Sequence, residues 1–511
     1  MNFMENEAYW ILSSEGRNYK KLTKDLETEC LIVGGGIPGI TTAYLLSKKG
    51  VKVTVVDADK IGSGCSGRNT GKVTCQHSIV YSKIKKEYGL EKAKSYYEAN
   101  NKALKLMESI IKEHNIDCNF EKIAAYIFTE SDNYIKDIED EFSVCKEIGI
   151  DCEYHTSLPL PLDIKAAISF NNQGQFNPKK YIDAIAELVI KQGGEIYENT
   201  TIKDVDKREK NKITTEDGNY IYASKLVISS HHPFYDGMSF YFARLEPERS
   251  YIIALNKTKD FPKGMFINVE EPSRTLRSYE GDGENLVLIG GEKHRVGKGK
   301  NDRNYYDILE AYAKEKFGEE EVKYRWSAQD CLSTDHIPYI GYINKEFDNM
   351  YVATGFSKWG MTNGTVAGMI ISNLIINGED EFQETFTPSR SKSYLSKEFL
   401  KQNINVVVEY IGGMLRQGNR EVEVEKGEMK VVRIKGVDYG AFKDENGKLF
   451  IVNIKCTHLG CELLWNNCEK TWDCPCHGSR FDYKGNVLEG PAINPLKSYG
   501  EGPNKVDPKI L

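Results

Sequence analysis

Short apolar runs, set off by glycine, proline and polar clusters, divide the chain. Cys30–Val33 reads as a buried strand, Ile40–Lys49 carries a helical period, and Val51–Asp57 reads as a second strand. From Tyr81 to about Asn115 the spacing stays helical, and Leu90–Lys112 is rich in Ala, Glu, Leu and Lys with no Gly or Pro. A strand near Ala124–Thr129 and a helix ending about Ile148 follow. Phe176-Asn177-Pro178 introduces a helix over Lys179–Gln192, and Gly193-Gly194 leads to a strand at Glu195–Tyr197. Residues 213–229 read as a hairpin and a strand. Residues 240–325 alternate strands (Tyr251–Leu255, Leu286–Gly290) with one helix, Tyr305–Phe317. Met350–Thr354 then reads as a strand feeding a helix from Asn363 to about Asn377. Ser389–Arg420 reads as a helical linker ending near Asn419. After it come only short strands, at Val422–Val424, Met429–Ile434 and Leu449–Ile454. The pattern predicts an α/β body followed by a small all-β module.

Composition narrows the function. At 511 residues the chain is too long for one core. Its net charge of −7, with no block of like charges, argues against nucleic acid as a partner and against a polybasic membrane anchor. No apolar run approaches the roughly 18 residues of a membrane span. Met1–Thr28 is acidic and polar and lacks the regions of a signal peptide. Five of the twelve cysteines fall between 456 and 476, and the rest are scattered as reduced thiols would be. A cytoplasmic protein without an integral membrane segment is expected.

Gly34-Gly35-Gly36-Ile37-Pro38-Gly39 follows the first strand and opens a helix, and Asp57 ends the next strand 18 residues past Gly39. In that context GxGxxG marks a Rossmann-like dinucleotide site. The glycines let backbone N–H groups approach a pyrophosphate at Ile37 and Pro38, while Asp57, next to Ala58, can hold the ribose. Such an acid serves FAD or NAD.

Four stretches resemble the D-amino-acid oxidase (glycine oxidase) flavoprotein family in order along the chain. Ile61-Gly62-Ser63-Gly64-Cys65-Ser66-Gly67-Arg68-Asn69-Thr70-Gly71-Lys72-Val73 is similar to the loop under the FAD pyrophosphate and ribityl chain. Thr201–Val205 matches the segment bracketing the adenine at Ile202. Trp326 through Asp335, Pro338 and Gly341 resembles a further box of that family. Gly355–Thr362, with Trp359-Gly360-Met361, opens a helix whose N-terminus would face the flavin. The resemblance implies bound FAD contacted by Ser66, Arg68, Asn69, Thr70 and Gly71 among others, and a mixed-sheet substrate domain.

The family's amino-acid oxidases hold a substrate carboxylate with Arg or Lys, and the sarcosine-oxidase lysine corresponds here to Thr362. Lys358 and Arg325 are the catalytic candidates, with Arg274 and Arg277 as further cations. Cys331 is expected to be a buried structural thiol and FAD to be non-covalent. His231-His232 has no carboxylate or Cys at metal-binding spacing.

Cys456-Thr457-His458-Leu459-Gly460-Cys461, twelve residues, then Cys474-Pro475-Cys476-His477-Gly478-Ser479 form two Cys/His half-sites. Such a set can hold zinc, or a two-iron cluster with both thiolates on one iron and both imidazoles on the other. Replacing thiolates by neutral imidazoles raises the cluster potential, to roughly −150 to +300 mV against about −400 mV for all-Cys plant-type clusters. The paired boxes, with Gly490-Pro491-Ala492 downstream, resemble the Rieske [2Fe–2S] signature. That resemblance implies Cys456, His458, Cys474 and His477 as ligands and a Cys461–Cys476 disulfide. Phe481 stands where high-potential members have Tyr, which implies a lower potential here.

The expected organisation is an FAD-dependent domain over residues 1–395, a linker over 396–419 and a Rieske domain over 420–511. FAD-binding parts lie at about 28–80, 175–235 and 325–390, with substrate or cap parts at about 81–174 and 236–324. The expected activity is oxidation of a small-molecule amine or amino-acid-like substrate. Electrons would leave through the cluster to an external acceptor, a protein or quinone. The alternatives are an electron-transfer or redox-sensing protein without an organic substrate, and an oxidase making H2O2.

Overall fold

The computed structural model describes residues 6–207, 210–235, 237–256, 261–299, 303–318, 321–390, 424–434, 436–499 and 504–506. The expected linker at 396–419 and most of the Val422–Val424 strand lie outside the described residues. Two compact units emerge. The first is Met1–Ser239, Ser250–Lys293 and Tyr305–Arg390; the second is Phe240–Arg249, His294–Asn304 and Ser391–Leu511.

The first unit is built on a parallel core. Leu26–Val33 pairs in parallel with Val53–Val56 on one side and Tyr220–Ile228 on the other. Tyr220–Ile228 continues to Met350–Thr354, and Val53–Val56 to Glu195–Tyr197. Successive residues of these strands are buried, so both faces are covered: Cys30, Leu31, Ile32, Val53 and Val55 are wholly buried. Burying each such aliphatic side chain contributes roughly 1.5–3 kcal/mol. A second, nine-stranded mixed sheet carries Glu121–Thr129, Ala166–Gln175, Leu245–Asn256, Thr275–Gly281, Glu284–Arg295 and Val322–Ser333, with Lys72–Val73 at its edge.

The long helical stretch after Tyr81 is two helices, Val80–Tyr88 and Leu90–His114. The break falls at Gly89, whose φ of 92° no helix continues. The strand Ala166–Gln175 has no counterpart in the sequence reading; its polar tail, Asn171 to Gln175, hides the strand signal.

In the second unit, Met429–Ile434, Val437–Lys443 and Leu449–Asn453 form an antiparallel meander extended by Lys497–Tyr499 and Asn504–Val506. A four-stranded antiparallel sheet, Leu464–Asn466 to Val487–Glu489, carries the second Cys/His box between its middle strands.

Candidate functional site

At the dinucleotide turn, the strand Leu26–Val33 runs straight into the helix Ile37–Ser47, with Pro38 in its first turn. Only glycine permits this turn. A Cβ on Gly39 would stand 1.9 Å from the Gly34 carbonyl oxygen, and Gly34 itself has φ of 106° against Ser229. Asp57 closes the turn from the next strand: its Oδ2 accepts from Gly35 N at 2.6 Å and its Oδ1 from Asp59 N at 2.9 Å. Burial pushes this carboxyl up to about 6, against those two bonds.

Ser66 Oγ accepts from Ile37 N at 3.1 Å and fills the space a Cβ on Gly36 would need. Asn69 shapes the loop beyond it, donating to the carbonyls of Cys65 and Ser66 and accepting from Gly71 N. Arg68 donates to Ser63 O and pairs with Glu7 at 2.6 Å. Indole N–H groups hold the loop carbonyls: Trp10 Nε1 donates to Asn69 O at 2.6 Å and Trp326 Nε1 to Arg68 O at 2.8 Å. Trp10 escaped the sequence reading. The Tyr9-Trp10 pair inside a polar start was the signal available. Ile202 is buried, whereas Ala58 is exposed. A glycine cradle, a carboxylate at the strand end and an ordered polar loop fit a dinucleotide.

Trp359 stacks on His77, centroids 4.8 Å apart and planes at 20°. His77 Nε2 donates to Thr74 O at 2.8 Å, which leaves Nδ1 to accept from Tyr96 OH at 2.8 Å. Burial pushes this imidazole down to about 3, so it is neutral. Thr362 Oγ1 donates to Thr74 O at 3.1 Å. Of the candidate cations, Lys358 donates to Ser250 Oγ at 2.8 Å, Arg325 pairs with Glu310, and Arg274 pairs with Glu292. The fold also brings Cys331 Sγ to 3.4 Å and Cys65 Sγ to 3.9 Å from His231 Nε2, a juxtaposition invisible in the spacing.

The two Cys/His loops of the second unit are built alike. In each, the first Cys accepts on its carbonyl from a glycine four residues on, Gly460 or Gly478. Its N–H donates to the carbonyl five residues on, Cys461 or Ser479, at 2.8 Å in both. A disulfide joins Cys461 to Cys476. The Cys474 sulfur lies within 4.8 Å of both, but the disulfide removes that pair as ligands.

Cys456, Cys474 and His477 are buried. His477 Nδ1 is buried without a hydrogen-bond partner. Burial, then His458 and Arg295, push this imidazole down to about 3. The Cys456 thiol is pushed down to about 7, first by Cys474 and then, against burial, by the N–H of His458 and the Ser479 hydroxyl. Cys474 is raised by Cys456 and by burial. Ser479 Oγ in turn accepts from Ala492 N at 3.0 Å, tying in the Gly490-Pro491-Ala492 loop. The imidazoles of His458 and His477 stand perpendicular, centroids 5.2 Å apart. Two thiols and two imidazoles, one an orphaned neutral nitrogen, suit a [2Fe–2S] cluster.

Fold and sites together define an FAD-dependent oxidoreductase carrying a Rieske [2Fe–2S] domain. The chain belongs to the FAD dependent oxidoreductase family, matched over residues 29–374, and residues 418–500 match the Rieske [2Fe-2S] domain. It is 40% identical to the Rieske 2Fe-2S iron-sulfur protein YhfW of Bacillus subtilis, over 96% of this chain and 97% of that protein. Gamma-glutamylputrescine oxidoreductase of Escherichia coli is 22% identical over 71% of this chain and 87% of its own. Among solved structures, glycine oxidase from Geobacillus kaustophilus superposes with a TM-score of 0.61 at 18% identity, covering 72% of this chain and 99% of that one. Among the described residues no helix is long and apolar enough to cross a membrane.

Proposed function

We propose that this protein is a dehydrogenase that oxidises an amine or amino-acid-like substrate and hands the electrons singly to an external acceptor, a protein or quinone. One observation carries the reading: a dinucleotide cradle and a Cys/His cluster site occur in the same chain. When bound, FAD supplies two-electron hydride chemistry and the cluster supplies a one-electron outlet. Gly34, Gly36, Ile37, Pro38 and Gly39 present the helix N-terminus to the pyrophosphate. Asp57 and Ala58 meet the ribose, Ser66 through Gly71 line the chain, Ile202 borders the adenine, and Trp359, Gly360 and Met361 border the ring. Cys456, His458, Cys474 and His477 hold the cluster. Lys358 and Arg325 are candidates for contact with substrate. The likeness to gamma-glutamylputrescine oxidoreductase supports an amine substrate, and the free thiols outside the disulfide support a cytoplasmic place.

Anaerobic mixing of the FAD-loaded protein with a panel of amines and amino acids tests this. Bleaching of the flavin absorbance by at least one member is expected; none bleaching it would leave only electron transfer. Rapid oxygen uptake with stoichiometric peroxide would replace the outlet by an oxidase.

A further inference from the structure

Residues 6–22 lie ahead of the family-matched span, 29–374, yet they are bonded to the loop Ile61–Gly71. Trp10 is wholly buried in the helical turn Tyr9–Leu12. Its Nε1 donates to Asn69 O at 2.6 Å, and Trp326 Nε1 donates to the preceding carbonyl, Arg68 O, at 2.8 Å. Arg277 Nη1 holds Gly71 O at 2.8 Å. An indole N–H only donates, so burying one obliges an acceptor to turn toward it. In a planar trans peptide the C=O and the following N–H point opposite ways. Carbonyls fixed at Arg68 and Asn69 therefore turn the N–H groups of Asn69 and Thr70 away from the two indoles. Successive N–H groups fixed in this way suit an anionic ligand.

The segment grips the loop at both ends. Glu7 pairs with Arg68 at 2.6 Å, and a Cβ on Gly67 would stand 3.4 Å from Ile11 Cγ1. Further on, Ser13 Oγ accepts from Asn177 Nδ2 at 3.0 Å and Ser14 Oγ donates to Asp183 Oδ2 at 2.6 Å. Buried Glu198 joins the segment to the start of the loop: its Oε2 accepts from Tyr19 N at 2.9 Å and its Oε1 from Ile61 N at 3.0 Å. Loosening the segment would leave a buried indole N–H and a loop carbonyl unpaired, which is the costly outcome for both.

We propose that residues 6–22 form a strap that keeps the loop in its FAD-binding shape, with Trp10 and Trp326 as positioning residues that slow the release of FAD. The proposal rests on the reading that Ser66 through Gly71 line FAD, and it gives a cofactor-retaining role to a segment outside the family span.

The test dilutes full-length, FAD-loaded protein and follows release as the rise of free-flavin fluorescence. Trp10→Phe keeps an apolar ring but removes the N–H. It should speed release by at least about tenfold, a barrier lower by about 1.4 kcal/mol. Trp326→Phe should act in the same direction, and Glu7→Gln, at a half-exposed pair, should speed release by about threefold. Tyr9→Phe alters the same helical turn through a hydroxyl that donates to Gly281 O, away from the loop, and should leave the rate at the wild-type value. Wild-type rates in Trp10→Phe and Trp326→Phe overturn the strap; faster release from Ser66→Ala would then keep the loop reading. No acceleration in Ser66→Ala either overturns both. Tyr9→Phe releasing FAD as fast as Trp10→Phe overturns the roles given to the indoles. Should Trp10→Phe not fold, Trp326→Phe and Glu7→Gln decide, and wild-type rates in both overturn the strap.

Discussion

The ring of Phe242 stands edge-on to the His477 imidazole, centroids 5.2 Å apart and planes at 87°. It reaches the His458 ring as well, at 6.2 Å. Both expected imidazole ligands thus have an apolar neighbour within the second unit. With two thiolates and two neutral imidazoles, one-electron reduction adds a negative charge, which water stabilises and a hydrocarbon does not. Phe242→Ala should therefore raise the cluster midpoint by on the order of tens of millivolts, and Phe242→Leu by less. Protein-film voltammetry reads both, and a lowered midpoint in Phe242→Ala would contradict the account.

Phe481 is wholly buried in the same apolar cluster as Cys456 and Cys474. A hydroxyl there, in Phe481→Tyr, should donate to a ligand sulfur and stabilise the reduced cluster. A bond of about 1 kcal/mol corresponds to tens of millivolts upward for one electron. Midpoint titration of wild type against variant checks the sign.

Cys474→Ser in the full chain should abolish the iron EPR signal and leave FAD bound, because Gly34–Gly39 and Asp57 lie elsewhere in the chain. Substrate should still bleach the flavin in a single turnover. Steady-state reduction of a one-electron protein acceptor should collapse, and an undiminished rate would sink the outlet role of the cluster.

His77 sets a pH dependence. Its folded-state pKa is held down to about 3 by burial, below the usual 6.5. The unfolded chain therefore takes up a proton that the folded chain refuses as pH drops below 6.5. Stability from this group is full above 6.5 and falls toward pH 3, by up to about 1.4 kcal/mol per pH unit. His77→Phe should lower stability at pH 7 by roughly 1–3 kcal/mol through the unpaired Tyr96 and Thr74 groups, yet flatten the acid slope. Denaturant unfolding at pH 4.5 and 7 separates the two effects.

Local chemistry made the dinucleotide turn and the Cys/His boxes readable, because each lies in one short stretch. Gly39 against Gly34, and Asp57 closing on Gly35, are contacts between neighbours in the βαβ unit. The paired loops at Cys456 and Cys474 repeat one hydrogen-bond pattern. What stayed hidden was long-range. Trp10 meets Asn69, Thr362 meets Thr74, and Arg277 meets Gly71, each joining segments far apart in the chain. No period or spacing encodes such meetings; only the packing of the two sheets and their helices creates them. The stretch Ser389–Arg420 reads as a helical linker ending near Asn419, and all of it past Arg390 lies outside the described residues.

The bond between Cys461 and Cys476 bears on how the protein is made. Four thiols lie in the two loops, and a single disulfide among them can form in six ways. Only the Cys461–Cys476 bond leaves Cys456 and Cys474 both available to a metal; each of the other five consumes at least one of them. Iron delivered before oxidation would act as a chemical protecting group, occupying those two sulfurs and leaving a single pair to close. Oxidation first would strand a share of the chains in dead-end isomers. The order of assembly is thus as much a part of this site as its ligands.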